Sequence, residues 1–538
     1  MNNRVCIIMS GIVTMFLLLV ITSCRQNEPK GHLSTTAIGP VPDPVNITVT
    51  PNGRHTIFVM PNGNKQRVVF DGVAGPEFEG VYVERSLVLS SDEKRTGYII
   101  ATNQPAPNGC KTCGPPGKWR VVIDNQFGPE YEKILRIAFS HDAKKVAYAA
   151  MKKTEDGSTF WTVVVDGKEA GHYNAISKLS PLFNLDGKQV VSVARKENQK
   201  SVVVVNNAES KEYDYIGYGI PFFSPDGKHM AYSARDYSPN LTTVVFDGKA
   251  SPKYNAIPER SLVFSADSKH FAYGAQTGNE WQVVTDGMPQ EKYAQVDNIQ
   301  YSPDGKYLTY KAKKGDKWMV VVNSKEGTYQ DSIMNGFPVF SPDGKNIAYG
   351  FKKNGKWNVV VEQVDIRKNI NGRFLVSIDD KGYDEIISCT FSPDSKHLSY
   401  IVREGDKKKA VIDGQAGDGY DDIVPNVIYS ADSKRMAYLA RFKKDGDKKR
   451  LIVLDGKAGS EYDGILNENL SFIVFSPDSK HVAYAASMDG KWNFIIDEQV
   501  MAEGYDTICN LVTSLKDGFE SMVINNKVLY RVKWNFDK

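Results

Sequence analysis

Apolar and polar residues alternate in short runs along most of this chain, and the runs recur in a fixed order. A short apolar piece such as Pro221-Phe222-Phe223 leads into a turn phrase of the form aromatic–Ser–x–Asp–Gly or Ser–Lys. An alternating run follows, as in His229-Met230-Ala231-Tyr232-Ser233-Ala234. Next come a β-branched run with an aromatic lead, Trp161-Thr162-Val163-Val164-Val165, and a second turn at Asp166-Gly167. The unit closes on a piece with a Tyr and a later Ile, Tyr173 to Ile176 or Tyr462 to Ile465. A period of two over short runs reads as strand. Asp-Gly supplies the tight turns, because Asp accepts local backbone hydrogen bonds and Gly tolerates positive φ. The pattern predicts four short strands, A to D, in each repeat, and no long helix.

The Asp of each turn phrase marks a unit: Asp92, Asp142, Asp186, Asp226, Asp267, Asp304, Asp343, Asp394, Asp432 and Asp478. Degenerate copies stand at Pro51-Asn52-Gly53 and Lys516-Asp517-Gly518, which makes twelve units spaced 37 to 51 residues apart. Four short strands in a repeat of about 40 residues are the mark of a propeller blade. The expected fold is all-β, a β-propeller of about twelve four-stranded blades. With 538 residues the chain exceeds one ordinary core. Two six-bladed propellers in tandem, 45–295 and 296–538, are expected, and seven plus five stays open; a single twelve-bladed ring would be unusual. The last unit shows A, B and C, with C at Val528 to Val532, and then runs out. Either a segment near Ser34 to Val41 supplies its D strand or that blade stays short.

Copies such as Phe223-Ser224-Pro225-Asp226-Gly227-Lys228 and Phe340-Ser341-Pro342-Asp343-Gly344-Lys345 resemble the TolB-type, WD40-like propeller repeat. The resemblance runs from about residue 45 to the C-terminus. The Gly-His and Trp-Asp dipeptides of true WD40 blades are missing. The Val-Val-Asp-Gly and Tyr-Asp-x-Ile pieces depart from the TolB repeat itself. The resemblance therefore implies the fold and does not carry over the partners of TolB.

Ahead of the repeats, Arg4 precedes an apolar run from Val5 to Ile21 that ends at Ile21-Thr22-Ser23-Cys24. The run is short for a membrane span, and a small residue sits just before the Cys. Residues 1–23 resemble a bacterial lipoprotein signal peptide, with Cys24 as the lipidated first residue of the mature chain; a plain transmembrane anchor is the alternative. Residues 24–44 are rich in Pro, Gly, Thr and Asn and read as a flexible tether. The expected location is the outer membrane, held by the lipid, on the periplasmic side or the cell surface. Arg25 is not the acidic residue associated with inner-membrane retention. The formal net charge of +3 gives no global pull toward nucleic acid, so any electrostatic role must come from local patches.

Candidate chemistry has to be weighed against the repeat. Asp-Gly in every unit reads as a hairpin turn rather than a calcium site. Trp119, Trp161, Trp281, Trp318, Trp357 and Trp492 stand at or near the start of strand C and read as blade packing, although Trp platforms also suit sugars. His229, His270, His397 and His481 share one slot at the start of strand B. Ligands of one metal must converge, and these four sit in scattered blades, so exposed side chains and no metal site are expected. Cys110 and Cys113 lie in an enlarged, Pro-rich B–C loop, where a local disulfide is the leading reading outside the cytoplasm. Cys389 and Cys509 sit in apolar strand starts, where buried thiols are ordinary.

The strongest local signal is basic. Four consecutive units load their B–C hairpins with Lys and Arg: Lys313 and Lys314; Lys352 and Lys353; Lys407 and Lys408; and Lys443, Lys444 and Lys448. Strands alternate in direction, so B–C and D–A loops leave a propeller on the same face and these charges gather on one rim. The rim is either a solvated face, diluted by Asp316, Asp406, Asp445 and Asp447, or a seat for an anionic partner. The eighth unit carries a long insertion from Glu362 to Asp380, with Asn371-Gly372 as a hairpin tip.

No catalytic residue is identified: the sequence lacks a Gly-x-Ser-x-Gly elbow, a His-Glu-x-x-His helix and a Walker loop, and it implies no cofactor. The expected function is that of a lipid-anchored, non-enzymatic envelope propeller that binds or scaffolds a protein or an anionic glycan, with no nucleic acid. A propeller polysaccharide lyase or glycosidase with its site at a channel mouth is the alternative. A purely architectural scaffold is the third reading.

Overall fold

The alternation is realised strand by strand. The structure, a computed structural model, describes residues 31–536 apart from 41–46, 50–54, 64, 79, 82–86, 103–117, 218–220, 337, 365–373, 467–472 and 509–512. Twelve small antiparallel sheets follow one another along the chain, each in the order A-B-C-D. In blade 5, strand A comes in two pieces, Tyr215–Ile216 and Phe222–Phe223, and both pair with strand B, Met230–Tyr237. Strand C is Asn240–Phe246 and strand D is Lys249–Ala250. Helical structure among the described residues is limited to short turns such as Glu259–Ser261.

The blade boundary falls inside the piece that the sequence assigns wholly to strand D. Tyr173 pairs with Trp161 on strand C of blade 3, whereas Ala175–Ile176 pairs with strand B of blade 4. The chain crosses between blades at the residue after the Tyr. The Ile belongs to strand A of the next blade, where Ile176, Ile216, Ile423 and Ile465 are buried.

The core lies between neighbouring sheets. Strand B offers a fully buried Ala next to a large ring, as at Ala272-Tyr273 and Ala483-Tyr484, and the small side chain lets the adjacent blade approach. Blade 6 packs on blade 7 through Ala272 and Val283 against Tyr310 and Met319. Blade 12 packs on blade 1 through Met522 and Leu529 against Phe58 and Val69. Face-to-face packing thus continues through residue 295, where the sequence places a seam between two rings; no break marks it among the described residues.

Blade 12 takes its D strand from the other end of the chain. Gly31–Pro40 pairs antiparallel with Val528–Phe536 through nine residue pairs, from Gly31 opposite Phe536 to Pro40 opposite Val528. The missing strand is supplied close to the expected place. Ten residues of the expected tether are strand instead, because the unpaired edge of strand C offers them a ladder of hydrogen bonds.

The A–B and C–D turns share one face. A Cβ added to Gly305, in an A–B turn with φ +75°, would stand 2.9 Å from Asp267 of the preceding blade. In the C–D turns, Gly248, Gly287, Gly414 and Gly456 have nothing within 4 Å. The A–B turns are the crowded inner edge of this face and the C–D turns its open outer edge. In blade 8 the insertion lengthens strands C, Lys356–Gln363, and D, Phe374–Tyr383, which stay paired out to Gln363 and Phe374. Asn371 and Gly372 lie outside the described residues.

Candidate functional site

Most of the conspicuous residues are explained by three repeated devices. The first is the A–B turn. Ser224 Oγ donates to Asp226 Oδ1 at 2.6 Å and accepts from the His229 N–H at 3.0 Å, while Asp226 Oδ1 also accepts from the Lys228 N–H at 3.1 Å. The same triangle recurs at Asp267, Asp304, Asp394 and Asp478. The Ser hydroxyl, then the backbone N–H, hold Asp226 and Asp267 below the usual carboxylate range. Where Ser replaces Gly in the turn, it sits at positive φ, 61° at Ser268 and 63° at Ser433. Its hydroxyl then accepts from the preceding blade: Asp226 N–H to Ser268 Oγ and Asp394 N–H to Ser433 Oγ, both at 2.9 Å.

The second device is the C–D turn. Asp286 Oδ1 accepts the Phe271 N–H at the start of strand B, and its other oxygen bonds His270 Nδ1 at 2.7 Å. Asp247, Asp413 and Asp497 hold His229, His397 and His481 in the same way. Arg95 and Arg435 use Nε in the same slot, toward Asp124 and Asp455. The recurring His is therefore a strand clamp. Among the described residues no group of three or more His, Cys, Asp or Glu is placed to hold a metal ion.

The third device lies on the B–C face and gives the Asp of Tyr-Asp its meaning. The Lys at or near the start of strand C pairs with the Asp at the crossing to the next blade. Lys200–Asp214, Lys317–Asp331, Lys356–Asp384, Lys407–Asp421, Lys449–Asp463 and Lys491–Asp506 stand at 2.5–2.6 Å. The second oxygen accepts an N–H at the tip of the next B–C hairpin: Asp214 from Tyr237 at 2.7 Å, Asp421 from Lys443 at 2.8 Å and Asp506 from Asn526 at 2.7 Å. One carboxylate thus joins two blades. The Lys partner, then the N–H, lower the pKa of Asp421, Asp463 and Asp506.

These contacts sort the basic rim. Lys407 belongs to the staple, Lys408 pairs with Asp422 at 2.5 Å, Lys314 with Glu326 at 3.0 Å and Lys444 with Glu461 at 2.8 Å. Lys313 and Lys352 lie over the Trp318 and Trp357 rings, at 5.9 and 5.8 Å from the centroids. Lys353, Lys443 and Lys448 are exposed.

Blade 10 stands apart. Its B–C hairpin sets Arg441 directly opposite Arg450 and Lys443 directly opposite Lys448. Alternate residues share a face, so four cations occupy one side of the hairpin. Arg450, and Lys408 in blade 9, fill the slot that holds Trp in blades 2, 3, 6, 7, 8 and 11. A groove of about 460 Å³ opens here. Arg441, Lys443, Lys448, Lys449 and Arg450 line it, against only Asp421 and Asp422, beside the Phe442 ring. Asp422 is held between Lys408 and Arg441, the latter at 2.8 Å. The sequence singles out Lys443 and Lys448 but misses the two carboxylates and Phe442. Its only pointer to them is the doubled acid after Tyr420.

Cys24, Cys110, Cys113 and Cys509 lie outside the described residues. Cys389 is a free, half-buried thiol, and burial pushes its pKa up.

No family model matches the chain, and no curated protein matches it. Among solved structures it is similar to a eukaryotic initiation factor, at 14% identity over 73% of this chain and 98% of that one, with a TM-score of 0.36. It is also similar to TolB from Acinetobacter baumannii, at 12% identity over 57% and 76% of the two chains, with a TM-score of 0.23. A third likeness is to the β-propeller domain of the Trilobed protease from Pyrococcus furiosus, at 12% over 63% and 97%, with a TM-score of 0.24. The strand topology itself makes the chain a β-propeller of twelve blades.

Proposed function

We propose that this chain is a lipid-anchored envelope propeller that binds an anionic partner, a glycan or an acidic protein segment, on its B–C face. The observation that carries the reading is the stacking of two like-charge pairs, Arg441–Arg450 and Lys443–Lys448, on one side of a single hairpin. Like charges directly opposite each other on paired strands destabilise a sheet by a few tenths of a kcal/mol or more. An anion seated across them turns that repulsion into attraction, and the exposed Lys443 and Lys448 are the cations it would meet first.

The closing strand supports one presentation of this face. Gly31 lies at the end of strand C that meets the A–B face, and Pro40 at the B–C end. A lipid on Cys24 would reach Gly31 through six residues, about 20 Å of extended chain. The anchor therefore enters from the A–B side, and the basic groove points away from the membrane.

Retention on an immobilised polyanion, with a matched acidic peptide as a second arm, tests the reading. Lys443→Gln with Lys448→Gln should weaken binding about tenfold, and leave the melting temperature unchanged or slightly raised. Equal retention of this double variant and the parent would remove the assignment.

A further inference from the structure

The cleft between blades 5 and 6 departs from the repeat in another way. Between blades 3 and 4 the space flanked by strand C of one blade and strand B of the next is lined by Val163, Val165, Val190 and Ser192, and measures about 140 Å³. Between blades 5 and 6 the same slots hold Val244, Phe246, Phe271 and Tyr273, and the cavity measures about 440 Å³. The larger side chains line the larger space, and their rings pack on each other. Centroids lie 4.7 Å apart for Phe264 and Phe271, 5.3 Å for Phe246 and Phe271, and 6.0 Å for Phe246 and Phe264. The result is a concave apolar wall of a size that suits a small ligand.

The polar lining includes Asp286, whose carboxylate is already bonded to His270, and two further groups narrow the chemistry. Tyr273 is 3% exposed and lines the cavity, and its hydroxyl has no well-aligned hydrogen-bond partner, with Ser251 and Tyr254 the groups beside it. The tyrosine at this slot in blade 8 donates to Glu362 at 3.0 Å, and the one in blade 11 to Glu498 at 2.7 Å. Tyr98 and Tyr310 share the unpartnered state, but Tyr273 has it at the wall of a cavity. A buried hydroxyl without an acceptor is destabilising, and an acceptor on a ligand removes that cost. At the mouth, Lys269 is 3.7 Å from Asp267, whereas Lys249 is exposed and makes no ion pair among the described residues.

We propose that this cleft binds a small aromatic acid. The ring body lies against Phe246, Phe264 and Phe271, the carboxylate meets Lys249, and Tyr273 donates to an acceptor on the ring system. Lys249 and the aromatic wall together select an anionic aromatic over a neutral one and over an aliphatic acid.

Two matched probes test it on the full chain by saturation-transfer NMR titration: 6-hydroxy-2-naphthoate and neutral 2-naphthol. Both should bind saturably, the acid several times more tightly. Phe246→Val with Phe271→Val installs the residues that Val165 and Val190 provide in the other cleft, and should weaken both probes by about tenfold. Lys249→Gln should abolish the acid's advantage and leave 2-naphthol unchanged. Unaltered affinity in the double-valine variant, or a retained preference for the acid in Lys249→Gln, overturns the proposal. Should the valines destroy the melting transition, Lys249→Gln decides alone, since its exposed side chain is not needed for folding.

Discussion

The A–B face and the B–C face of the ring are built from the same residues, Asp with Lys or Ser, and put them to different uses. On the A–B face the Asp of each A–B turn finds its donors inside its own turn, as Asp226 does with Ser224 and the Lys228 N–H. The nearby Lys is left as a loose partner, 3.3 Å from Asp226 and 3.7 Å from Asp267. On the B–C face the Asp at a blade crossing reaches across two blades, as Asp421 does with Lys407 and the Lys443 N–H. There the carboxylates are consumed in joining blades, and blade 10 supplies more cations than they can neutralise. Where donors and acceptors balance, charge is architecture. Where cations exceed acceptors, charge is left for a partner.

The harshest way to break the comparison is to remove the frame that both faces share. Deleting residues 31–40 strips nine residue pairs from blade 12, and should cost on the order of 5 kcal/mol at about 0.5–1.5 kcal/mol per hydrogen bond. Chemical denaturation measures it, and gel filtration should show self-association through the freed edge. An unmoved midpoint would mean that strand C of blade 12 holds without its partner.

Acid separates the faces next. Asp226 and Asp267 on one, and Asp421, Asp463 and Asp506 on the other, all titrate below their ordinary value when folded. A depressed folded pKa stabilises above the unfolded value, near 3.9, and that contribution is lost as pH falls through the folded values. Melting temperature should be level above about pH 5 and drop below pH 4. Raising salt screens the Lys–Asp pairs of the B–C face but leaves the Ser–Asp turns untouched, so part of the acid response should disappear in about 1 M salt and part remain. A response wholly insensitive to salt would assign it to the A–B face alone.

A crossed pair of variants sharpens the contrast. Ser224 is 1% exposed, and Ser224→Ala leaves Asp226 and the His229 N–H without their hydroxyl, a loss of about 2 kcal/mol with polyanion binding intact. Lys443→Gln with Lys448→Gln should do the reverse. The smallest effect is expected at Ser433→Gly. Relief of positive φ there offsets the lost bond from Asp394, and stability should stay within about 0.5 kcal/mol.

Much of this was legible in the sequence because repetition carries it. The Ser–x–Asp phrase gives the A–B turn, the alternating and β-branched runs give strands B and C, and the incomplete last unit points to a closing strand near Ser34. The Asp of Tyr-Asp is present in the sequence, but its role depends on two partners in different blades, and no spacing along one strand reveals it. The same limit hides which lysines are neutralised: Lys448 and Lys449 are neighbours on one strand, and only Lys449 meets the carboxylate of Asp463 at the blade junction. Phe246 and Phe271 replace the β-branched residues of their slots. That departure is visible in an aligned repeat, yet only the packing of their rings shows that it opens a cavity instead of filling one.

The closing strand also sets an order in time. Vectorial synthesis delivers Gly31–Pro40 before any blade, and its partner Val528–Phe536 after all the others. The earliest strand to emerge must wait, unpaired, while eleven blades form on the local contacts of each hairpin. Ring closure is then a single late event between the chain's most distant strands, slow because a long loop has to be closed before any contact rewards it. Until that moment the protein carries two open sheet edges, and a chaperone that shields one extended strand would protect the whole ring.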